Sequence, residues 1–303
     1  MTGGSGGGSP SGPLGVVRSR LRLRRGPDTP RRRLGSLWAW IVLLIAVLYF
    51  FVPLFATFEF SLRAAAIDPV TGEQIRPSLR AYELTFGDAK FGATLGYSLV
   101  IGLVTIAVSL LLIVPTAYWV RLRLQRLRPY VEFVTLMPFV IPPVILVFGL
   151  IRIYGGGPLA LTNTEFGGDI LLVGAYVVLS FPYMYRAVDT GLAAIDVRTL
   201  TEAAQSMGAS WPRILWQVIF PNLRAALLSG AFLTLAIVIG EYTIANFLAR
   251  PAFGPYLSLL GQNKAYEPAA VSLISFGITW AAMAMLALLG RNTRSRIQLA
   301  GAR

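Results

Sequence analysis

The residues of this chain that could do chemistry are few, and they fall in two places. One is a polar stretch, Glu202-Ala203-Ala204-Gln205-Ser206-Met207-Gly208, followed ten residues later by Val218-Ile219-Phe220-Pro221. The other is Glu241-Tyr242, set inside a long apolar run. What is missing narrows the chemistry further. The 303 residues contain no His and no Cys, which removes the commonest general base, the commonest metal ligand and all thiolate chemistry. No HExxH, GxSxG or GxxxxGK[ST] pattern is present, and no carboxylates cluster on one face. The sequence therefore offers no catalytic residues, no metal-binding set and no cofactor site. A membrane-embedded enzyme would have little to work with.

The elements around these residues are apolar. The chain is 55% hydrophobic and 14% charged, against about a quarter charged in a soluble domain. Several apolar runs exceed the ~18 residues that cross a bilayer. The sequence predicts an all-α, polytopic membrane protein with six transmembrane helices, at about 37–58, 94–119, 131–153, 170–187, 223–247 and 268–290. Residues 1–33 are Gly/Ser/Pro-rich and then Arg-rich, and read as a disordered basic tail that anchors on anionic lipid rather than on nucleic acid. Residues 34–290 form the transmembrane domain, and 291–303 a second short tail. The net charge of +13 is unevenly placed. With the N-terminus inside, 20 of the 27 Lys and Arg lie in the tails and in the segments on that same side. The positive-inside rule then puts both termini and the 202–221 stretch in the cytoplasm. Trp38, Trp40 and Trp119 fit the cytoplasmic interface, and Tyr183, Tyr185 and Arg186 read as interfacial anchors. The longest segment on the opposite side, 59–92, carries turn signals at Asp68-Pro69 and Thr71-Gly72, which suggest a short hairpin or surface helix.

The polar stretch has helix-making signals of its own. Asp196 and Thr199 are both N-cap candidates, and Thr199-x-x-Glu202 fits a capping box. A helix would run to about Met207 and end at Gly208. Ser210 would then cap a second helix, with Pro212 in its first turn and Ile214, Leu215, Val218 and Ile219 against the bundle. Pro221 bends the chain before the next apolar run. The product is a helix–turn–helix between two spans, with Ala203 and Ala204 small enough to admit a partner and Glu202 open to a partner's cation.

The spacing Glu202-Ala203-Ala204, Gly208, Val218-x-Phe220-Pro221 closely resembles the EAA loop of the permeases of binding-protein-dependent ABC importers, the MetI-like type I family. Val218 and Phe220 replace the commoner Ile and Leu. The resemblance covers about 60–290 and is strongest in the loop. It implies a six-helix permease fold in a bacterial cytoplasmic membrane, working with ABC ATPase subunits, a second permease subunit, identical or not, and an external solute-binding protein. It also implies that Glu202, Ala203, Ala204, Gly208, Val218 and Pro221 belong to the ATPase-coupling site. Within the family, Pro138-Phe139-Val140-Ile141-Pro142-Pro143 and Gly240-Glu241-Tyr242-Thr243-Ile244-Ala245-Asn246-Phe247 look most like spermidine/putrescine permeases. A polyamine is thus the first expectation for the solute. Sugar, phosphonate, thiamine and ferric iron importers share related patterns. An ion-coupled secondary transporter is a weaker alternative, because no internal repeat is evident.

Glu241 has two readings. An ionisable residue within a span usually faces a cavity or a partner, so Glu241, with Tyr242 beside it, could line the solute pathway as a counter-charge for an amine. Alternatively it lies near the outer interface or hydrogen-bonds across the bundle. By helical rise it stands about 27 Å from Leu223.

Overall fold

The computed structural model describes residues 30–67, 72–157 and 160–278, and beyond these only positions 280, 281, 284 and 288. Its contacts divide the chain into two units, Met1–Val52 and Pro53–Arg303. In the first unit the backbone is helical from Pro30, and every described side chain from Trp38 to Val52 is exposed. This helix, α1 (Pro30–Ser61), continues across the division. It takes in the last four residues of the predicted tail. Proline is favoured in a first helical turn and Arg is a good helix former, so Pro30–Arg33 extend the span. The rest of the predicted tail, and all of 291–303, lie outside the described residues.

In the second unit a two-residue antiparallel ladder pairs β1 (Ala66–Ile67) with β2 (Gln74–Ile75). Helix α2 (Arg80–Gly87) follows, so the 59–92 segment holds both a hairpin and a surface helix. Apart from that ladder, every described element is helical. Helix α3 (Ala89–Leu122) starts at Asp88, whose carboxylate accepts from Lys90 N at 2.9 Å. Then come α4 (Arg128–Val140), α5 (Pro143–Tyr154) and α6 (Glu165–Ala193). Thr164 caps α6 by accepting from Gly167 N at 3.0 Å. The chain continues with α7 (Val197–Ser206), α8 (Trp211–Asn222), α9 (Arg224–Gly240), α10 (Thr243–Phe247), α11 (Phe253–Asn263) and α12 (Glu267–Ile278).

Helices α3, α6 and α9 form the centre of the bundle. Ser109 of α3 and Ser180 of α6 share a buried hydrogen bond at 2.8 Å, the kind of small-residue contact that lets membrane helices approach. One apolar core joins Val114 and Tyr118 of α3, Met184, Val188 and Leu192 of α6, and Ile214 and Ile219 of α8. A second, nearer the other end of these helices, joins Val147, Leu172, Tyr176, Val238 and Ile244. That end is also tied by polar groups. Arg250 Nη2 pairs with Asp169 Oδ1 at 2.7 Å, Arg250 Nε donates to Tyr97 OH at 3.2 Å, and the Tyr97 hydroxyl donates to Asp169.

Two of the six predicted spans are not continuous helices. Among the described residues three helices are long and apolar enough to cross a membrane, or up to five if each bent pair is one span. The predicted 131–153 span is interrupted between α4 and α5, where Gln125–Val140 and Pro143–Tyr154 meet at 95°. Pro142 and Pro143 lack N–H groups, so the carbonyls of Pro138 and Phe139 lose their i+4 donors, and Ile141 is pushed to an extended ψ of 112°. The predicted 223–247 span stops at Gly240 and resumes only as the five-residue α10. The fourth span is longer than the predicted 170–187, extending to Glu165 and Ala193, and Pro182 is absorbed within α6. The sixth is represented by α12 and by helical backbone at 280, 281, 284 and 288.

Candidate functional site

The 196–222 stretch folds as two helices joined by a turn. Asp196, not Thr199, is the N-cap of α7. Its carboxylate accepts from Thr199 N at 3.1 Å and from the Thr199 hydroxyl at 2.7 Å. These bonds, the hydroxyl first, hold the Asp196 carboxyl below its ordinary value of 3.8. The alternative capping box at Thr199 does not form, because Glu202 turns to Arg198 instead, with Nε to Oε1 at 2.8 Å. Both of those side chains are well exposed, at 82% and 61%.

Helix α7 buries Val197, Thr201 and Ala204, a stripe at i, i+4 and i+7. This corrects one expectation. Ala203 is on the open face, but Ala204 is buried in the core shared with α3 and α6. Its small size therefore lets α7 lie close to the bundle. Gly208 adopts φ +78°, which an L side chain disfavours, and no neighbouring atom would meet an added Cβ. The turn needs glycine for its backbone, not for lack of room. Gly208 N donates to Gln205 O at 2.8 Å and Ala209 N to Ala204 O at 3.0 Å, which closes the end of α7.

The second helix begins after Ser210 with Pro212 in its first turn, as the sequence indicates, but the Ser210 side chain makes no capping hydrogen bond. Residues 214–219 then widen into a π-helical turn, an irregularity that the sequence reading does not contain. Ile214 and Ile219 are fully buried, while Leu215 and Val218 pack at the edge of the core. Asn222 Nδ2 donates to Val218 O at 2.7 Å. Pro221 lies two residues before the sharp bend at Leu223, where α8 and α9 meet at 80°. Met207 and Trp216 remain on the surface, at 80% and 55% exposure.

Contacts that the sequence does not reveal fasten this loop to the bundle. The buried Tyr118 of α3 shares a hydrogen bond with Thr201 of α7, OH to Oγ1 at 2.9 Å. Trp119 lies against Trp211 with ring centroids 4.7 Å apart, and the Arg123 guanidinium sits over both rings at 5.7 and 5.4 Å. Asp189 of α6 takes Arg121 on Oδ1 at 3.2 Å and Arg128 on Oδ2 at 2.9 Å. Arg121, Arg123 and Arg128 thus brace α3, α4, α6 and α8, beyond any topological role. Tyr185, expected as an interfacial anchor, is buried in the same core.

Glu241 lies at the far interruption. Its carboxylate accepts from Ile244 N at 2.8 Å, from Ala245 N at 3.2 Å and from the Tyr176 hydroxyl of α6 at 3.0 Å. It caps α10 and hydrogen-bonds to α6 across the bundle. Capture of these amides explains why the helix stops at Gly240. Gly254 lets α11 approach, since a Cβ there would lie 2.2 Å from Glu241 O. Tyr242 is partly exposed and contributes to a separate hollow of about 450 Å³ between α9, α11 and α12. Among the described residues no group of His, Cys, Asp and Glu could hold a metal ion.

The described residues form a bundle with interrupted apolar helices that carries a braced helix–turn–helix between two of its spans. Residues 109–294 match the family described as "Binding-protein-dependent transport system inner membrane component", so the chain belongs to that family and is a permease subunit of an ABC importer. Over 277 residues it is 28% identical to a probable molybdenum ABC transporter permease protein of Haloferax volcanii, covering 86% of this chain and 94% of that one. Over 239 residues it is 24% identical to the sulfate transport system permease protein CysW of Synechococcus elongatus, covering 72% of this chain and 82% of that one. The fold is similar to that in a solved bacterial ABC transporter involved in the import of the acidic polysaccharide alginate. There the TM-score is 0.57 at 21% identity, covering 89% of this chain and 97% of that one. Relatives named for molybdenum and sulfate do not support the polyamine expectation.

Proposed function

We propose that this permease carries a small tetrahedral oxyanion of the molybdate or sulfate type inward, with both termini and the 196–222 loop on the ATPase side. The observation that supports it most is the match along nearly the whole chain to a relative named for molybdenum, joined by one named for sulfate. The state of Glu241 agrees. A carboxylate that already accepts from two amides and a phenol is a poor counter-charge for an ammonium group, since binding the amine would require breaking those bonds. The two stretches that suggested a polyamine are both helix interruptions with structural reasons of their own.

The loop supports a docking role through its two faces. Its inner face is locked to α3 and α6, and its outer face presents Glu202, Ala203, Met207 and Trp216. Closure of an ATPase pair against that outer face would be passed to α3 through Tyr118 and the Trp119–Trp211 contact. A two-state shift of the bundle would follow. The substrate test is uptake by the complete importer in cells lacking their own systems, using labelled molybdate, sulfate and putrescine. Uptake of an oxyanion, unaffected by excess putrescine, is expected. Uptake of putrescine with neither oxyanion would overturn the reading.

A further inference from the structure

The charges at the loop end of α6 are not evenly matched. Asp189 has one oxygen on Arg121 and the other on Arg128. Glu132 is taken by Arg128 at 2.9 Å. Arg123 lies on the two tryptophans. Arg186, one turn before Asp189 on α6, is exposed and has no carboxylate or hydrogen-bond acceptor among the described residues. Both oxygens of its nearest helical acid are already occupied.

Arg186 lines a hollow of about 610 Å³ between α4, α6 and the start of α9. That volume falls in the range of small-molecule sites, about 300–1,000 Å³. The hollow also holds the hydroxyl-bearing residues Thr190 and Ser229 and the small residues Gly191 and Ala226. A narrower cleft of about 240 Å³, shared with Glu132 and Asp189, adjoins it at Arg186 and Thr190. An unpaired cation within a membrane helix is costly unless water or an anion meets it. A guanidinium presents a fork of donors that matches the oxygens of a tetrahedral anion.

We infer that Arg186, with Thr190 and Ser229, forms an oxyanion subsite on the loop side of the translocation path. The inference rests on the oxyanion reading above and names the group in this chain that serves it. One free guanidinium beside two carboxylates already in use makes a shallow site. It draws the anion in without holding it, as a conduction path requires. The Asp189 pairs keep the neighbouring arginines from converting it into a trap.

The test uses the complete importer, with its ATPase, second permease and binding protein, reconstituted in vesicles. Initial uptake of labelled molybdate and sulfate is measured for wild type, Arg186→Gln and Arg186→Lys, alongside co-purification of the subunits. Arg186→Gln is expected to lower the maximal rate by about ten- to hundredfold, the worth of one charge-assisted contact. The half-saturating concentration, set by the binding protein, and subunit recovery should hold. Arg186→Lys should recover part of the rate, because it restores the charge without the fork. Uptake by Arg186→Gln equal to wild type would overturn the subsite. So would a loss of subunits in step with the loss of uptake, since Arg186 would then serve assembly, and so would a Lys variant no better than Gln. If wild type moves neither anion, the oxyanion reading itself fails, and the subsite with it.

Discussion

Glu202 and Glu241 are the same kind of residue in opposite circumstances. Glu202 stands on the open face of α7 with only Arg198 beside it, both side chains mostly in solvent. Glu241 is surrounded by donors from α10 and α6. A solvated carboxylate with one flexible partner can change partners at little cost, whereas a carboxylate that satisfies buried amides cannot be spared. The loop is thus fixed by contacts where it faces the bundle and open where it faces outward, whereas the Glu241 carboxylate is held by three donors. Availability for a partner is decided by the donors around a carboxylate, not by its presence in a span.

The sharpest way to break this comparison is Glu241→Ala. It leaves the Ile244 and Ala245 amides and the Tyr176 hydroxyl without their acceptor, at a cost of roughly 2–5 kcal/mol. The unfolding temperature of the purified permease should fall clearly. Glu241→Gln keeps an acceptor oxygen and should fall much less, with uptake largely retained. Abolished uptake in Glu241→Gln at unchanged stability would return Glu241 to the pathway.

Next in size is Gly208→Val. A β-branched residue at φ +78° costs at least the ~1–2 kcal/mol of left-handed backbone and removes the turn. The variant should insert into the membrane yet lose its ATPase in pull-down and lose transport. Because an added Cβ meets nothing, Gly208→Asn should be far milder, since Asn tolerates the conformation. If both variants fail equally, a partner surface, not the backbone, sets the need for glycine.

Tyr118→Phe should act on transmission. It removes one buried hydrogen bond, worth about 1 kcal/mol, while Thr201 keeps its bond to Val197 O at 2.6 Å. ATPase pull-down should survive, with fewer solutes moved per ATP hydrolysed. An unchanged ratio would show that α3 does not receive the motion through this contact.

Much of the loop was legible in the sequence because its signals are local. Capping residues, Gly208 and the Pro212 turn each act within a few positions. Gly208 and the spacing to Pro221 also carried the resemblance that led to the family. What was hidden depends on contacts between segments distant in sequence. Tyr118 meets Thr201 and Asp189 meets Arg121 and Arg128 only once α3, α4, α6 and α7 have packed. Asp189 carries one readable signal, an acid close to an apolar run, but the predicted fourth span ends at 187 and excludes it. The break at Ile141 was written in Pro142-Pro143, whose missing N–H groups outweigh the apolar character that made 131–153 read as one helix. The amides that Glu241 captures lie only three and four residues on, but the apolar character of 223–247 made that run read as one helix, and the third donor, Tyr176, arrives from across the bundle.

Glu202 itself should give a smaller effect, confined to the partner. Glu202→Gln removes an exposed charge, so permease stability should barely move. If a cation of the ATPase meets Glu202, the concentration of ATPase needed for half-maximal binding should rise several-fold, and more steeply at low salt, where exposed charges are less screened. Glu202→Lys should exceed it, through repulsion of both that cation and Arg198. Equal ATPase binding by wild type and both variants would leave the loop's docking to Met207, Trp216 and its backbone.

The smallest effect belongs to the cap of α7. The bonds from Thr199 hold the Asp196 carboxyl below 3.8 in the folded chain. A carboxyl lowered by folding stabilises the fold above its unfolded value, and the contribution is lost only as pH falls through the folded one. Between about pH 5 and pH 8 Asp196 stays ionised in both states. Its cap should therefore add nothing to the pH dependence of ATPase binding in that range, although Asp196→Ala should weaken binding at every pH by loosening the start of α7. Asp196→Asn retains an acceptor oxygen without titrating, so it should track wild type across the range and part from it only in strong acid. ATPase binding measured from pH 5 to pH 8 for the three proteins decides the matter. A wild-type curve that bends within this window while the Asn variant stays flat would mean that the Asp196 carboxyl titrates far above its ordinary value, and that the cap described here is not the state in which the loop docks.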